Sequence, residues 1–271
     1  RDRAISDAID SVGGVSAIWQ MTYDGYRAIE CRIHSDIHFA FSQHALEVDR
    51  SQGSICKYEV ISGYPKTYAR PLLIQRAKEL REKMKSAGAK DIIFSIDENS
   101  LDDSRWHTGH DLQRENYIIL IYQVLKNPSL GVIFKPKHGK TLQRRLGEDI
   151  YTQLKKAIKT GRCHLYDSVG LEGYATASPP MLAALSADVC IHGHLSAGTA
   201  ALECALEKLP TLLIDREGAP SSKFYELPKG KVIFKDWPEA LDAVMEHFQS
   251  EKGIPGFGDW TSIIDLSLIH I

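Results

Sequence analysis

The chain has 271 residues, 43% of them hydrophobic and 25% charged, with a formal net charge of −2 at neutral pH. That is an ordinary globular composition, enough for one large or two medium domains with a core that needs no disulfide or metal. It excludes the basic field of a general nucleic-acid binder, and no apolar run approaches the ~20 residues of a membrane-spanning helix.

The five cysteines (Cys31, Cys56, Cys163, Cys190, Cys204) are scattered and form no C-x-x-C pair. They read as reduced thiols of a cytoplasmic protein. No signal peptide opens the chain, and its first residues have helical character.

In chain order, Val15 to Trp19 is a short strand and Tyr23 to Ile33 a helix. Asp36 to Phe41 alternates as a strand, and Ser42-Gln43-His44 opens a helix through Val48. Ser51-Gln52-Gly53 turns the chain into a strand over Lys57 to Ile61, closed by Ser62-Gly63-Tyr64-Pro65. Pro71 to Ala87 is a helix with Leu73, Ala77, Leu80 and Met84 on one face and Gly88 as its C-cap.

Strands and helices then alternate. Ile92 to Ile96 is a strand, and Leu112 to Leu125 a helix with Leu112, Ile118, Ile119, Tyr122 and Leu125 inward. Gly131 to Lys135 is a strand, Thr141 to Ile158 a helix, His164 to Tyr166 a strand and Pro179 to Ser186 a helix. Val189 to Ile191 is an apolar strand, and His192 to Ser196 turns the chain. Ala197 to Glu207 is a helix ended by Pro210, and Thr211 to Ile214 is the next strand. Val232 to Phe234 and Pro238 to Phe248 close the series. Repeated β-α units of this length imply an α/β fold with a doubly wound, mostly parallel sheet, whose ligands lie at the carboxyl ends of its strands.

The turn after Val189 to Ile191 carries the most chemistry. A helix N-terminus presents unpaired N–H groups and the positive end of a dipole, and Ser196, Ala197, Gly198 and Thr199 sit there. Ser196 either caps the helix or meets a phosphate. Glu203, about one turn on, is either a solvated glutamate or a ligand for sugar hydroxyls.

Ser196-Ala197-Gly198-Thr199, Ala201-Leu202-Glu203, Leu206 and Lys208-Leu209-Pro210 together resemble the donor-nucleotide signature of GT-B glycosyltransferases. Glu207 and Leu209 depart from the usual Gly-Lys-Pro ending. The resemblance implies that the small-residue turn meets the donor phosphates and that Glu203 binds the ribose. It also divides the chain: 1–65 as a fragment of the N-terminal GT-B domain, 66–258 as the C-terminal nucleotide-sugar-binding domain, and 259–271 as the start of the helix that crosses back, or a tail.

Lys135-Pro136-Lys137-His138 ends a strand at the same edge as that turn. Related polysaccharide-assembly enzymes carry Lys-Pro-His here, so Lys135 and His138 are candidate phosphate ligands; the other reading is a basic surface loop. Residues 135–162 hold nine Lys or Arg against two acids, a solvated helix face or a contact for an anionic acceptor or membrane surface. His192 and His194 form an H-x-H pair, which can bind zinc, but no carboxylate stands at a matching spacing. No metal is therefore expected; the pair hydrogen-bonds either the donor or the sheet edge, and His194 is counted among the candidate donor ligands. Asp97 and Glu98, at the end of the first strand of the second domain, either bind acceptor hydroxyls, act as a catalytic base, or only solvate the loop. The glutamate eight positions before Glu203 that retaining members show is replaced by Leu195.

The resemblance implies a glycosyltransferase that uses a CMP-, UDP- or GDP-linked sugar and a glycan or glycolipid acceptor, with no other cofactor and no nucleic acid. Its placement is cytoplasmic or peripheral at the inner membrane. Its look is that of capsule and lipopolysaccharide assembly enzymes, such as Kdo transferases. A UDP-sugar 2-epimerase and a non-catalytic nucleotide-binding scaffold are the rival readings.

Overall fold

A computed structural model describes residues 2–23, 25, 27, 31–97, 110–137, 139–166, 178–195, 198–216, 218 and 221–264. The chain opens with helix α1 (Asp2–Ser11) and a parallel three-stranded sheet of β1 (Ala17–Trp19), β2 (His34–Ala40) and β3 (Ile55–Ile61), in that order. Helix α2 (Gln43–Ser51) crosses between β2 and β3, and the Ser42 hydroxyl caps it by accepting the Ala45 N–H at 3.2 Å. The helix expected over Tyr23 to Ile33 is not formed at its described residues. Gly25 takes φ +69°, outside right-handed helical space, and its carbonyl accepts the Lys223 N–H at 2.6 Å.

Gly63, Tyr64 and a short turn over Pro65–Ala69 lead into α3 (Arg70–Ser86). The second sheet follows: β4 (Asp91–Ile96), α4 (His110–Lys126), β5 (Leu130–Lys135), α5 (Leu142–Leu146), α6 (Glu148–Lys159) and β6 (Cys163–Leu165). It continues with α7 (Pro180–Ala184), β7 (Val189–His192), α8 (Thr199–Leu206), β8 (Thr211–Ile214), β9 (Ile233–Phe234) and α9 (Trp237–Gln249). Its order is β6-β5-β4-β7-β8-β9 and every pair is parallel. This is a doubly wound sheet. Counted within the sheet, the order is 3-2-1-4-5-6, and its direction reverses between β4 and β7.

The strands are apolar without alternation because helices cover both faces. Ile92, Phe94 and Cys190 pack with α3, α7 and α8, while Ile93, Val132 and Phe134 pack with α4, α6 and α9. The single helix expected over Thr141 to Ile158 is two, because Gly147 adopts φ +76°. Glu148 and Asp149 then start α6 on the favourable end of its dipole.

The inward face of α4 also differs from the expectation. Tyr117, Leu120, Ile121 and Val124 are buried with Gln113 and Asn116, while Ile118, Tyr122 and Leu125 are exposed. Apolar residues stand on both sides of this helix, so periodicity alone does not pick its core face. No helix begins over 259–264 either. Those residues form turns, with the Trp260 indole donating to the Thr211 carbonyl at 2.9 Å and Ile263 and Ile264 buried in the core. Among the described residues, no helix is long and apolar enough to cross a membrane.

Candidate nucleotide site at the strand reversal

Where strand order reverses, the loops leaving two neighbouring strands go to opposite faces and open a crevice at the carboxyl edge. Here β4 and β7 flank that point, and β5 stands level with them: Ile96 pairs with Lys135 on one side and with His192 on the other. Asp97 and the turn His192-Gly193-His194 leave from this edge. Residues 98–109, which hold Glu98, lie outside the described residues, as do His138, Ser196 and Ala197.

At this edge lies a buried polar network, with Asp97, Gln113, Asn116, Arg145, His192 and His194 all below 5% exposure. Arg145 of α5 meets Asp97 with both terminal nitrogens, at 3.3 and 2.8 Å, and the Tyr117 hydroxyl donates to the same carboxylate at 3.2 Å. Burial and then the Asp97 charge push the Tyr117 phenol well above its usual range, so it stays a proton donor. Asp97 is thus held in an ion pair beneath the crevice.

His192 donates its Nδ1–H to the His194 carbonyl at 2.7 Å, which closes the turn. The Gln113 amide nitrogen stands 2.6 Å from His194 Nε2; donating there, it places the proton of neutral His194 on Nδ1. The Asn116 amide donates to Gln113 at 3.3 Å and accepts from Arg216 and from the Trp237 indole, each at 2.8 Å. Gly193 packs onto this network, and an added Cβ would collide with the Asn116 amide. Helix α4 therefore carries a row of amides that orients the β7 turn.

On α8, Gly198 lies under Phe224, and the Thr199 hydroxyl oxygen accepts the Tyr23 N–H at 2.7 Å. Tyr23 donates its hydroxyl to His44 Nδ1 at 2.5 Å, and burial lowers the His44 pKa, favouring the neutral ring that accepts it. Glu203 is 2% exposed. Its carboxylate accepts from the Tyr64 hydroxyl and, at 3.2 Å, from the Met181 N–H in the first turn of α7.

The structure thus brings Lys135, His194 and Asp97 to one sheet edge. Gly198 and Thr199 follow at the start of α8, and Glu203 lies deeper in that helix, sealed by the linker tyrosine. Sequence reasoning missed Gln113, Asn116, Tyr117, Arg145 and Tyr64. The pair Gln113 and Asn116, three apart and one turn of helix on one face, was a readable signal; the Asp97–Arg145 contact, across 48 positions, was not.

No family model and no curated protein matches the sequence. Solved structures do match in shape. A UDP-GlcNAc 2-epimerase from Methanocaldococcus jannaschii, in complex with UDP-GlcNAc and UDP, is 17% identical with a TM-score of 0.50, over 84% of this chain and 59% of that one. The chain has the GT-B-like fold. HepE from Anabaena, in complex with UDP and glucose, is 12% identical with a TM-score of 0.48, over 87% of this chain and 61% of that one. MnaA from S. aureus, bound to UDP, is 11% identical with a TM-score of 0.46, over 84% of this chain and 58% of that one. The chain spans less than two thirds of the length of each.

Proposed function

We propose that this chain is the donor-binding part of a nucleotide-sugar enzyme that transfers a sugar to a hydroxyl of a bacterial surface glycan or glycolipid. One observation carries the reading: strand order reverses between β4 and β7, level with Lys135 and the His192–His194 turn, and β7 is followed by α8. A uridine nucleotide is the favoured donor, because the M. jannaschii epimerase of matching fold holds UDP.

In this reading the acceptor oxygen bonds to the anomeric carbon as that carbon's bond to the diphosphate breaks. The acceptor proton passes to a base, and the nucleotide leaves. The backbone at Ser196 to Thr199 and the Lys135 and His138 side chains neutralise the diphosphate. Glu203 takes the ribose hydroxyls after exchanging Tyr64, and His194 donates its Nδ1–H to the donor. Asp97, already neutralised by Arg145, braces the edge rather than taking the proton, so the base is Glu98 or a group of the N-terminal half, as is typical of the family it resembles. The enzyme works in the cytoplasm, at the membrane surface where a lipid-linked acceptor is presented.

Titration calorimetry with UDP, CMP and GDP tests this. UDP binding is expected, with affinity lowered about tenfold by Glu203→Ala, the loss of one charge-assisted contact. Binding by none of the three, or UDP binding that survives Glu203→Ala together with Ser196→Ala, refutes the assignment. Epimerisation at C2 is the second reading, favoured by the same M. jannaschii match. Proton NMR of UDP-GlcNAc incubated without acceptor separates the two, since only an epimerase inverts C2.

A further inference from the structure

The edge of the six-stranded sheet at β6 forms a slot shaped for another strand. Among the described residues, strand β6 ends the sheet. Val132 N–H donates to the Arg162 carbonyl and Tyr166 N–H to the Phe134 carbonyl, both at 2.9 Å. The backbone groups of Arg162 and Tyr166 therefore face β5. Alternation along a parallel strand turns the N–H and C=O of Cys163 and Leu165 the other way, toward the open edge.

A cleft of 540 Å³ lies along that edge, with β6 itself in its lining. Its walls come from both helix layers: Lys83 and Met84 of α3 on one side, Leu142 of α5 and Tyr151 of α6 on the other. The cleft thus occupies the place of a seventh strand. Its charge is one-sided, since Lys83 and Lys140 line it and, among the described residues, no carboxylate does. Lys83 is in the last turn of α3, where the chain approaches the amino end of β4, and Lys140 follows the carboxyl end of β5. The two cations therefore stand at opposite ends of the slot.

We propose that this cleft binds an extended acidic segment of a partner protein, which joins the sheet at β6 by pairing with the Cys163 and Leu165 backbone. Carboxylates at either end of the segment meet Lys83 and Lys140. The outward backbone edge selects a peptide over an anionic oligosaccharide, because only a peptide offers N–H and C=O groups at strand spacing.

The probe is a fluorescent peptide of alternating Glu and Val, about six residues long, which spans β6 at ~3.3 Å per residue. Anisotropy should show saturable binding, weakened about tenfold in Lys83→Glu/Lys140→Glu and lost when alternate peptide nitrogens are methylated. Hydrogen exchange at the Cys163 and Leu165 amides should slow when the peptide is added. Absence of saturable binding overturns the proposal, as does equal binding of a Lys-Val peptide or indifference to methylation. Two further results also overturn it: protection of both amides before peptide is added, which means the chain already pairs this edge, and binding of hexagalacturonate in place of the peptide.

Discussion

Replacing Arg145 with Met should reveal how the carboxyl edge is braced. Both side chains of the Asp97–Arg145 pair are 2% exposed, and two nitrogens meet two oxygens. Removing one member leaves the other charge buried, at a cost of about 3–5 kcal/mol. For a chain of this size, at about 1.8 °C per kcal/mol, that lowers Tm by about 5–9 °C. Arg145→Met alone and Asp97→Leu alone should each lose that much. The double variant should fall within about 2 kcal/mol of the parent, because well-packed apolar residues replace a buried pair at little net loss. Urea denaturation of the four proteins at pH 7.5 gives the cycle and its coupling energy. Single variants that lose under about 1 kcal/mol would show a solvated pair and refute the reasoning.

Three further outcomes follow from the structure. Burial and then the Lys83 charge hold His164 at about 4, below its ordinary 6.5, so the unfolded chain takes up the proton first as pH falls. The stability this contributes is full above pH 6.5 and is lost between 6.5 and 4, by about 3 kcal/mol in all; His164→Gln should flatten that part of a stability-against-pH curve, and an unchanged curve would contradict it. Gly193→Ala should destabilise by about 1–3 kcal/mol by forcing the Asn116 amide aside, measured by thermal melting. Tyr64→Phe removes one donor to a buried carboxylate and should cost about 2 kcal/mol, read by urea denaturation, while Tyr64→Phe in a Glu203→Gln background should cost less.

Most of the sheet was readable from apolar runs such as Ile92 to Phe94 and Val189 to Ile191, since strands covered on both faces need no alternation. Helix faces were harder. Gln113 and Asn116 point inward because they orient the β7 turn, and Ile118 and Tyr122 lie outside, so hydrophobicity favoured the wrong side of α4. The break at Gly147 was signalled locally by a glycine before two acids, whereas long periodicity through Thr141 to Ile158 suggested one rod. At the candidate site, the α8 turn and the strand end at Lys135 could be picked out by position. Their supports could not, because Arg145 meets Asp97 across 48 positions and Tyr64 meets Glu203 across 139.

Two tyrosines from the leading part of the chain grip a single helix: the Tyr23 amide at its first residue and the Tyr64 hydroxyl one turn further in. The three-stranded sheet is therefore pinned at two points along α8, like a hinge leaf held by two screws. Any swing of one sheet against the other must release Thr199, Glu203 or both, so motion between the halves and access to that helix are mechanically one event.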